Sequence, residues 1–199
     1  MVRMGASCAA NPIAKGAPFA RLCRMATATP TQKTDRQAVA AVSKDNQPDN
    51  PLVQHLRRQA ANAIVLYGNY KHYHWQVYGP LFRDLHKLFD ELAHEVLHTV
   101  DELAERVRMI GQDPPAHILE AADIASVTVA APHGDVREML EEADRNLLLV
   151  IAELRQGARL ADEHDDPGTV DIYSKTVQVH EKHEWWMRDL LRRNDGLSA

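Results

Sequence analysis

From Asp49 to about Arg193, apolar positions recur every three to four residues, and the pattern is punctuated by Gly, Pro and short polar clusters. The punctuation predicts four long helices. The first opens at Pro51, a residue suited to the first helical position, with Asp49 or Asn50 able to cap it. Gly79 and Pro80 end it. The second runs from about Leu81 to Ile110 and stops at Gly111. The third starts near Asp135 and reaches about Glu163, where "HDDPGT" breaks it; the fourth runs from about Thr169 to Arg193. Between the second and third lies the segment "AHILEAADI", a small helix inside a long connection. Four long helices with one long connection predict an all-α four-helix bundle over residues 51–193. No internal repeat or strand-like alternation competes.

The second helix carries more than a folding pattern. On a wheel at 100° per residue, Leu85, Leu88, Phe89, Leu92, Val96, Val100, Leu103, Val107 and Ile110 gather on one side and form the core face. His86, Asp90, His94, His98, Asp101 and Glu105 gather on the other, within a stripe of about 120°. A metal or catalytic site inside this chain's own bundle would need them on the first side. They point away from it.

Spacing along the helix adds a second constraint. His86 and Asp90 are one turn apart, as are Asp101 and Glu105, but Asp90 and Asp101 are separated by roughly 16 Å of helical rise. One site cannot use both pairs from one helix. Two copies packed antiparallel about a two-fold axis near Glu95 and Val96 would solve this: Asp90 of each meets Asp101 of the other, and His86 meets Glu105. Leu97 and Ala104 on the same side suit such burial. Histidine with carboxylates suits iron, zinc or manganese, and the oxygen-rich balance favours redox-capable iron. A solvated charged face is the competing reading.

Composition narrows the class. The 199 residues suffice for one sizeable core, and 45% hydrophobic with 26% charged residues is ordinary for a soluble globular protein. A net charge of −5 excludes a generic nucleic-acid binder, and no apolar run approaches a membrane span. Cys8 and Cys23 both lie before the helical pattern, so a reducing, cytoplasmic compartment is the simpler assumption. Residues 1–50, rich in Ala, Pro, Thr and Ser, read as a mobile tail, and residues 194–199 as a short C-terminal tail. No acidic residue precedes Asp35. That start resembles a transit peptide, but Met25 offers an alternative translation start, which would leave residues 1–24 untranslated.

The stretch "HWQVYGPLFRDLHKLFDELAHEVLHTVDELAER" resembles the Dps family, the mini-ferritins, and the similarity covers roughly residues 50–193. The family pattern is His-Trp, a second His twelve residues on, Asp four later, Asp eleven later and Glu four later. It is matched in full at His74, His86, Asp90, Asp101 and Glu105. The last helix, "DIYSKTVQVHEKHEWWMRDLL", also looks like the family's. The resemblance implies a ferritin-like fold and a hollow dodecamer. It implies twelve inter-subunit sites, each oxidising two Fe²⁺, preferably with hydrogen peroxide, and ferric mineral stored inside. In the family the two histidines and the first Asp come from one subunit, and the later Asp and Glu from its partner. Trp75 adjoins the site as a candidate electron donor, with simple packing as its other role.

Some residues fall outside this pattern. His94 and His98 lie on the stripe, where they would add nitrogen ligands and raise affinity for zinc, or serve as polar interface residues. His180 and His183 on the last helix carry the same two readings. The loop "DEHDDPGTVD" has the carboxylates of an iron-entry pore, and Asp171 resembles an acidic position near the family's pores. A conventional ferritin site inside the bundle needs Glu on two helices and Glu-x-x-His on two others, yet Pro51–Tyr78 contains no Asp or Glu. DNA compaction through the tail is the rival from another class. It rests on Arg3, Lys15, Arg21, Arg24 and Lys33 and would give nucleoid association; from Met25 onward the basic residues are offset by Asp35, Asp45 and Asp49.

Overall fold

The structure, a computed structural model, describes residues 47–132 and 134–192. The tail readings, with Cys8, Cys23 and the choice of start, lie outside the described residues. Within them the architecture is all-α, with no strand. The elements are α1 (Pro51–Gln76), α2 (Phe82–Met109), the short α3 (Ile118–Ile124), α4 (Val136–Glu163) and α5 (Pro167–Leu190).

Local chemistry sets the boundaries. Asn50 caps α1, its Oδ1 accepting from Leu52 N–H at 2.8 Å with Pro51 behind it. Asp135 does the same for α4, accepting from Glu138 N–H. Three boundaries differ from the sequence expectation. α1 ends at Gln76, short of Gly79, because the chain turns through an extended Val77 and a Gly79 at φ 87° to enter α2. α5 begins at Pro167 and not at Thr169: Pro167 opens this helix, with Asp166 as its cap accepting from Thr169 N–H at 3.0 Å. Its far end is Leu190, three residues before Arg193.

α1 and α2 form one antiparallel hairpin, and α4 and α5 another. Side-chain bonds fix how the hairpins meet. Tyr73 near the end of α1 donates to Glu142 near the start of α4, while Gln59 reaches Glu153 further along. Arg106 late in α2 reaches Asp166 and Thr169 at the start of α5, and Lys182 further along α5 donates to Glu95. α1 therefore opposes α4, and α2 opposes α5, which leaves α2 and α4 parallel. The connection between them must run the length of the bundle.

Buried amides hold that connection down. Asn62 accepts from Ser126 and Val127 N–H, and Asn69 accepts from Ala130 N–H while donating to Thr128 O. Asn146 of α4 bonds both the N–H and the C=O of Thr128. These pairs satisfy backbone groups that no helix or sheet satisfies. The core lies between the hairpins, with Leu56, Leu66, Tyr70, Tyr73, Phe89, Leu92, Leu103, Leu140 and Tyr173 among its buried residues.

Candidate metal centre

α2 buries the face its periodicity predicts. Leu85, Phe89, Leu92, Val96, Leu103, Val107 and Ile110 are buried, with Leu88 and Val100 partly so. Ala93 and Thr99 join them from the flanks. Asp90, His94, His98, Asp101 and Glu105 are exposed on the opposite side, and His86 is half-buried.

Two of the sequence-nominated residues form a bracket between α1 and α2. His74 Nδ1 donates to the carbonyl of His86 at 2.6 Å, and His86 Nδ1 donates to the carbonyl of His74 at 2.8 Å. The rings stack, with centroids 3.7 Å apart and planes 20° apart. A carbonyl only accepts, so each ring carries its proton on Nδ1 and leaves the Nε2 lone pair for a ligand. Fixing the tautomer through the other ring nitrogen is how metal-binding histidines are commonly oriented. The bracket has a local cause as well: the His74 carbonyl sits in the last turn of α1, where carbonyls lack helical partners.

Asp90 lies one turn along α2 from His86. Lys71, one turn before His74 on α1, donates to it at 2.6 Å. That hydrogen bond, followed by the ammonium charge, holds the Asp90 carboxyl below the usual carboxylate range. His74, His86, Asp90 and Lys71 thus form one cluster. Asp101 and Glu105 lie three turns further along the same unbroken helix, and no described residue pairs with either. Among the described residues of one chain, no group of three His, Cys, Asp or Glu side chains is placed to hold a metal ion.

The remaining nominated residues go elsewhere. Trp75 is 67% exposed, so it does not pack within its own bundle. His94 and His98 meet edge to face at 5.1 Å between ring centroids. His180 and His183 are buried in the core, where burial pushes their pKa values down to about 3 and about 4, and His183 Nε2 lies 3.0 Å from Glu95. Asp171 is exposed and accepts from Lys175, one turn on, at 2.6 Å. In the loop before it, buried Asp166 is committed to Arg106 and Thr169, which removes it from the carboxylates available to line a pore. Sequence reasoning missed Lys71; its place one turn from His74, on the side facing α2, is the signal that finds it.

The ferritin-like domain family matches residues 53–196. The chain is 36% identical over 136 residues to the DNA protection during starvation protein of Brevibacillus brevis, covering 68% of this chain and 91% of that one. The crystal structure of Dps from Thermosynechococcus elongatus superposes with a TM-score of 0.72 at 42% identity, covering 81% of this chain and 99% of that one. This chain belongs to the Dps family. Another Dps structure, from Vibrio cholerae O1, is described as a member of a broad superfamily of ferritin-like diiron-carboxylate proteins; its TM-score is 0.69 at 26% identity, over 76% of this chain and 92% of that one. In this Dps protein, no described helix is long and apolar enough to cross a membrane.

Proposed function

We propose that this Dps protein oxidises Fe²⁺ with hydrogen peroxide at sites shared between two subunits, and stores the ferric product inside a dodecameric shell. The observation that carries the reading is the division of the ligand set: the bracketed His74 and His86 with Asp90 lie at one end of α2, and the unpaired Asp101 and Glu105 at the other. An antiparallel second copy of α2 brings the two halves together, with His74, His86 and Asp90 from one chain and Asp101 and Glu105 from the other. Each site would take two Fe²⁺ as substrate, and Zn²⁺ would compete for the same donors.

Two irons supply two electrons together. Two Fe²⁺, one H₂O₂ and two protons then give two Fe³⁺ and two H₂O, with no hydroxyl radical released. Such a reaction in the cytoplasm would protect against oxidative damage. Trp75, exposed and next to His74 in the chain, would surrender an electron when only one iron is bound. Asp171 would attract Fe²⁺ near a pore, although its ion pair with Lys175 reduces the field it offers. Association with DNA would depend on the basic tail, outside the described residues; a gel shift comparing the full chain with one begun at Met25 tests it.

The deciding experiment titrates Fe²⁺ anaerobically into the purified oligomer and then adds peroxide, for the native chain and Asp101→Ala. Fast oxidation of about two irons per site is expected in the native protein and not in the variant, with the oligomer intact in both by size-exclusion chromatography. Equal oxidation in the two proteins would defeat the assignment.

A further inference from the structure

A row of touching rings leads out of the core. Tyr73 and Phe89, each next in the chain to a proposed ligand (His74 and Asp90), have ring centroids 5.2 Å apart. Phe89 meets Tyr70 at 6.2 Å, and Tyr70 meets His183 across the core at 6.1 Å. His183 stacks on Trp186 at 6.1 Å with planes 23° apart, and Trp186 meets Trp185 at 6.5 Å. The row thus runs from the α1–α2 hairpin to the later turns of α5. We infer that it is an electron route, along which Trp185 of α5 supplies an electron to the proposed iron site. The inference rests on the shared-site reading above.

Packing accounts for only part of the row. Tyr70, Tyr73 and Phe89 are fully buried and fill the core, whereas Trp185 is 51% exposed at its edge. The two tryptophans also sit in opposite electrostatic surroundings. The Lys182 ammonium lies over Trp186, 5.0 Å from the ring centroid, and positive charge there opposes loss of an electron. Glu95, which accepts a hydrogen bond from Lys182, offsets only part of that charge. Trp185 instead donates its Nε1–H to Asp189 Oδ2 at 2.8 Å. The carboxylate favours an indole that has lost an electron, and the hydrogen bond gives the indole proton an acceptor. Arg192 pairs with Asp189 through the other oxygen, Oδ1, at 3.0 Å, which keeps Oδ2 for the indole. An electron vacancy therefore settles on Trp185 and not on Trp186.

The step balances when a shared site holds one Fe²⁺ and meets hydrogen peroxide. Fe²⁺ gives one electron and becomes Fe³⁺; Trp185 gives the other. With two protons from solvent, the O–O bond breaks and H₂O₂ becomes two H₂O. Trp185 passes its indole proton to Asp189 and is left as a neutral tryptophanyl radical. Both electrons are supplied, so no hydroxyl radical is released, and the oxidised side chain lies on α5, away from the ligands.

The test uses the full chain as purified oligomer in a Trp75→Phe background, which silences the donor beside His74. The protein is loaded with one Fe²⁺ per site and given peroxide, with ethanol present to consume radicals in solution. Freeze-quenched samples are read by electron paramagnetic resonance, and peptide mass spectrometry locates oxidised tryptophan. A tryptophanyl radical and oxidised Trp185 are expected, and Trp185→Phe should lose the radical. Trp186→Phe should lose most of the oxidation at Trp185, while Trp186→Tyr, nearly the same shape but still oxidisable, should retain it. That contrast separates electron transfer from packing. Trp185 oxidised equally in the Phe and Tyr variants would overturn the route. Loading two Fe²⁺ per site tells the two readings apart. Fast oxidation there with Trp185 untouched in the one-iron sample sinks the inference alone. Two-iron oxidation no faster than in Asp101→Ala removes the shared site, and the inference with it.

Discussion

The Lys71 ammonium lies 2.6 Å from the Asp90 carboxylate, so one half of the proposed iron site already holds a cation supplied by the chain itself. An incoming metal ion must displace or accommodate that charge. Lys71→Met is expected to tighten Co²⁺ binding at the site by about two- to fivefold, a modest effect because the pair is solvent-exposed. Calorimetric titration would measure it. Unchanged affinity would show that Lys71 swings clear at no cost.

The two bracketing histidines should not be equivalent in stability. His74→Leu removes a bond to the carbonyl of His86, which lies inside α2 and keeps its helical partner. His86→Leu leaves the His74 carbonyl, in the last turn of α1, without its acceptor role filled. Both variants should lose metal affinity, by about 10–100-fold. Only His86→Leu should also lower stability by about 0.5–1.5 kcal/mol, read from thermal unfolding. Equal melting temperatures would contradict this asymmetry.

Stability should fall in mild acid. Burial holds the His183 and His180 pKa values at about 4 and about 3, with the Glu95 carboxylate opposing the shift at His183, so both rings are neutral in the folded bundle. In the unfolded chain a histidine takes up its proton near pH 6.5. Below that pH the unfolded state binds more protons, and stability declines until the folded values are reached. Each histidine contributes up to about 1.4 kcal/mol per pH unit over that window. The guanidinium midpoint should be lower at pH 5 than at pH 7.5, and His180→Leu should reduce the difference. A pH-independent midpoint would show that the rings accept protons in place.

Gly157 of α4 should not tolerate even one methyl group. A Cβ there would stand 2.3 Å from Cε1 of His55 and 2.7 Å from the ring of Tyr173, two residues joined by a 2.9 Å hydrogen bond. Neither side chain is a flexible tip that can swing aside. Gly157→Ala should cost about 1–3 kcal/mol of stability through overpacking, against the small gain alanine gives an open helix. Thermal melting of the variant decides the sign.

Most of the fold is legible in the sequence because its helices are long, strongly periodic and separated by Gly and Pro. The ligand stripe is legible for the same reason: one period of 3.6 assigns Leu85 to the core and His86 away from it. Boundaries are less so, since Pro167 serves equally as a helix breaker or a helix opener, and the Asp166 side chain decides which. The asparagines that fasten the long connection leave no periodic trace, because Asn62, Asn69 and Asn146 bond backbone groups of a non-helical segment. His180 and His183 share the residue types of a metal site, and only their burial separates them from His74 and His86. The five-residue pattern identifies the family, but the two-copy geometry it implies reaches beyond a single chain.

The three helical turns between Asp90 and Asp101 give the proposed sharing of sites between subunits a consequence in genetic terms: two defective alleles would complement each other. In a mixed dimer of Asp90→Ala with Asp101→Ala chains, one shared site carries both lesions and the other carries neither. Random pairing makes about half of all dimers mixed, and so restores about a quarter of the native sites. Each variant alone restores none. A cell carrying both copies would regain iron oxidation that neither copy provides, whereas a site built within one chain could never be rescued this way.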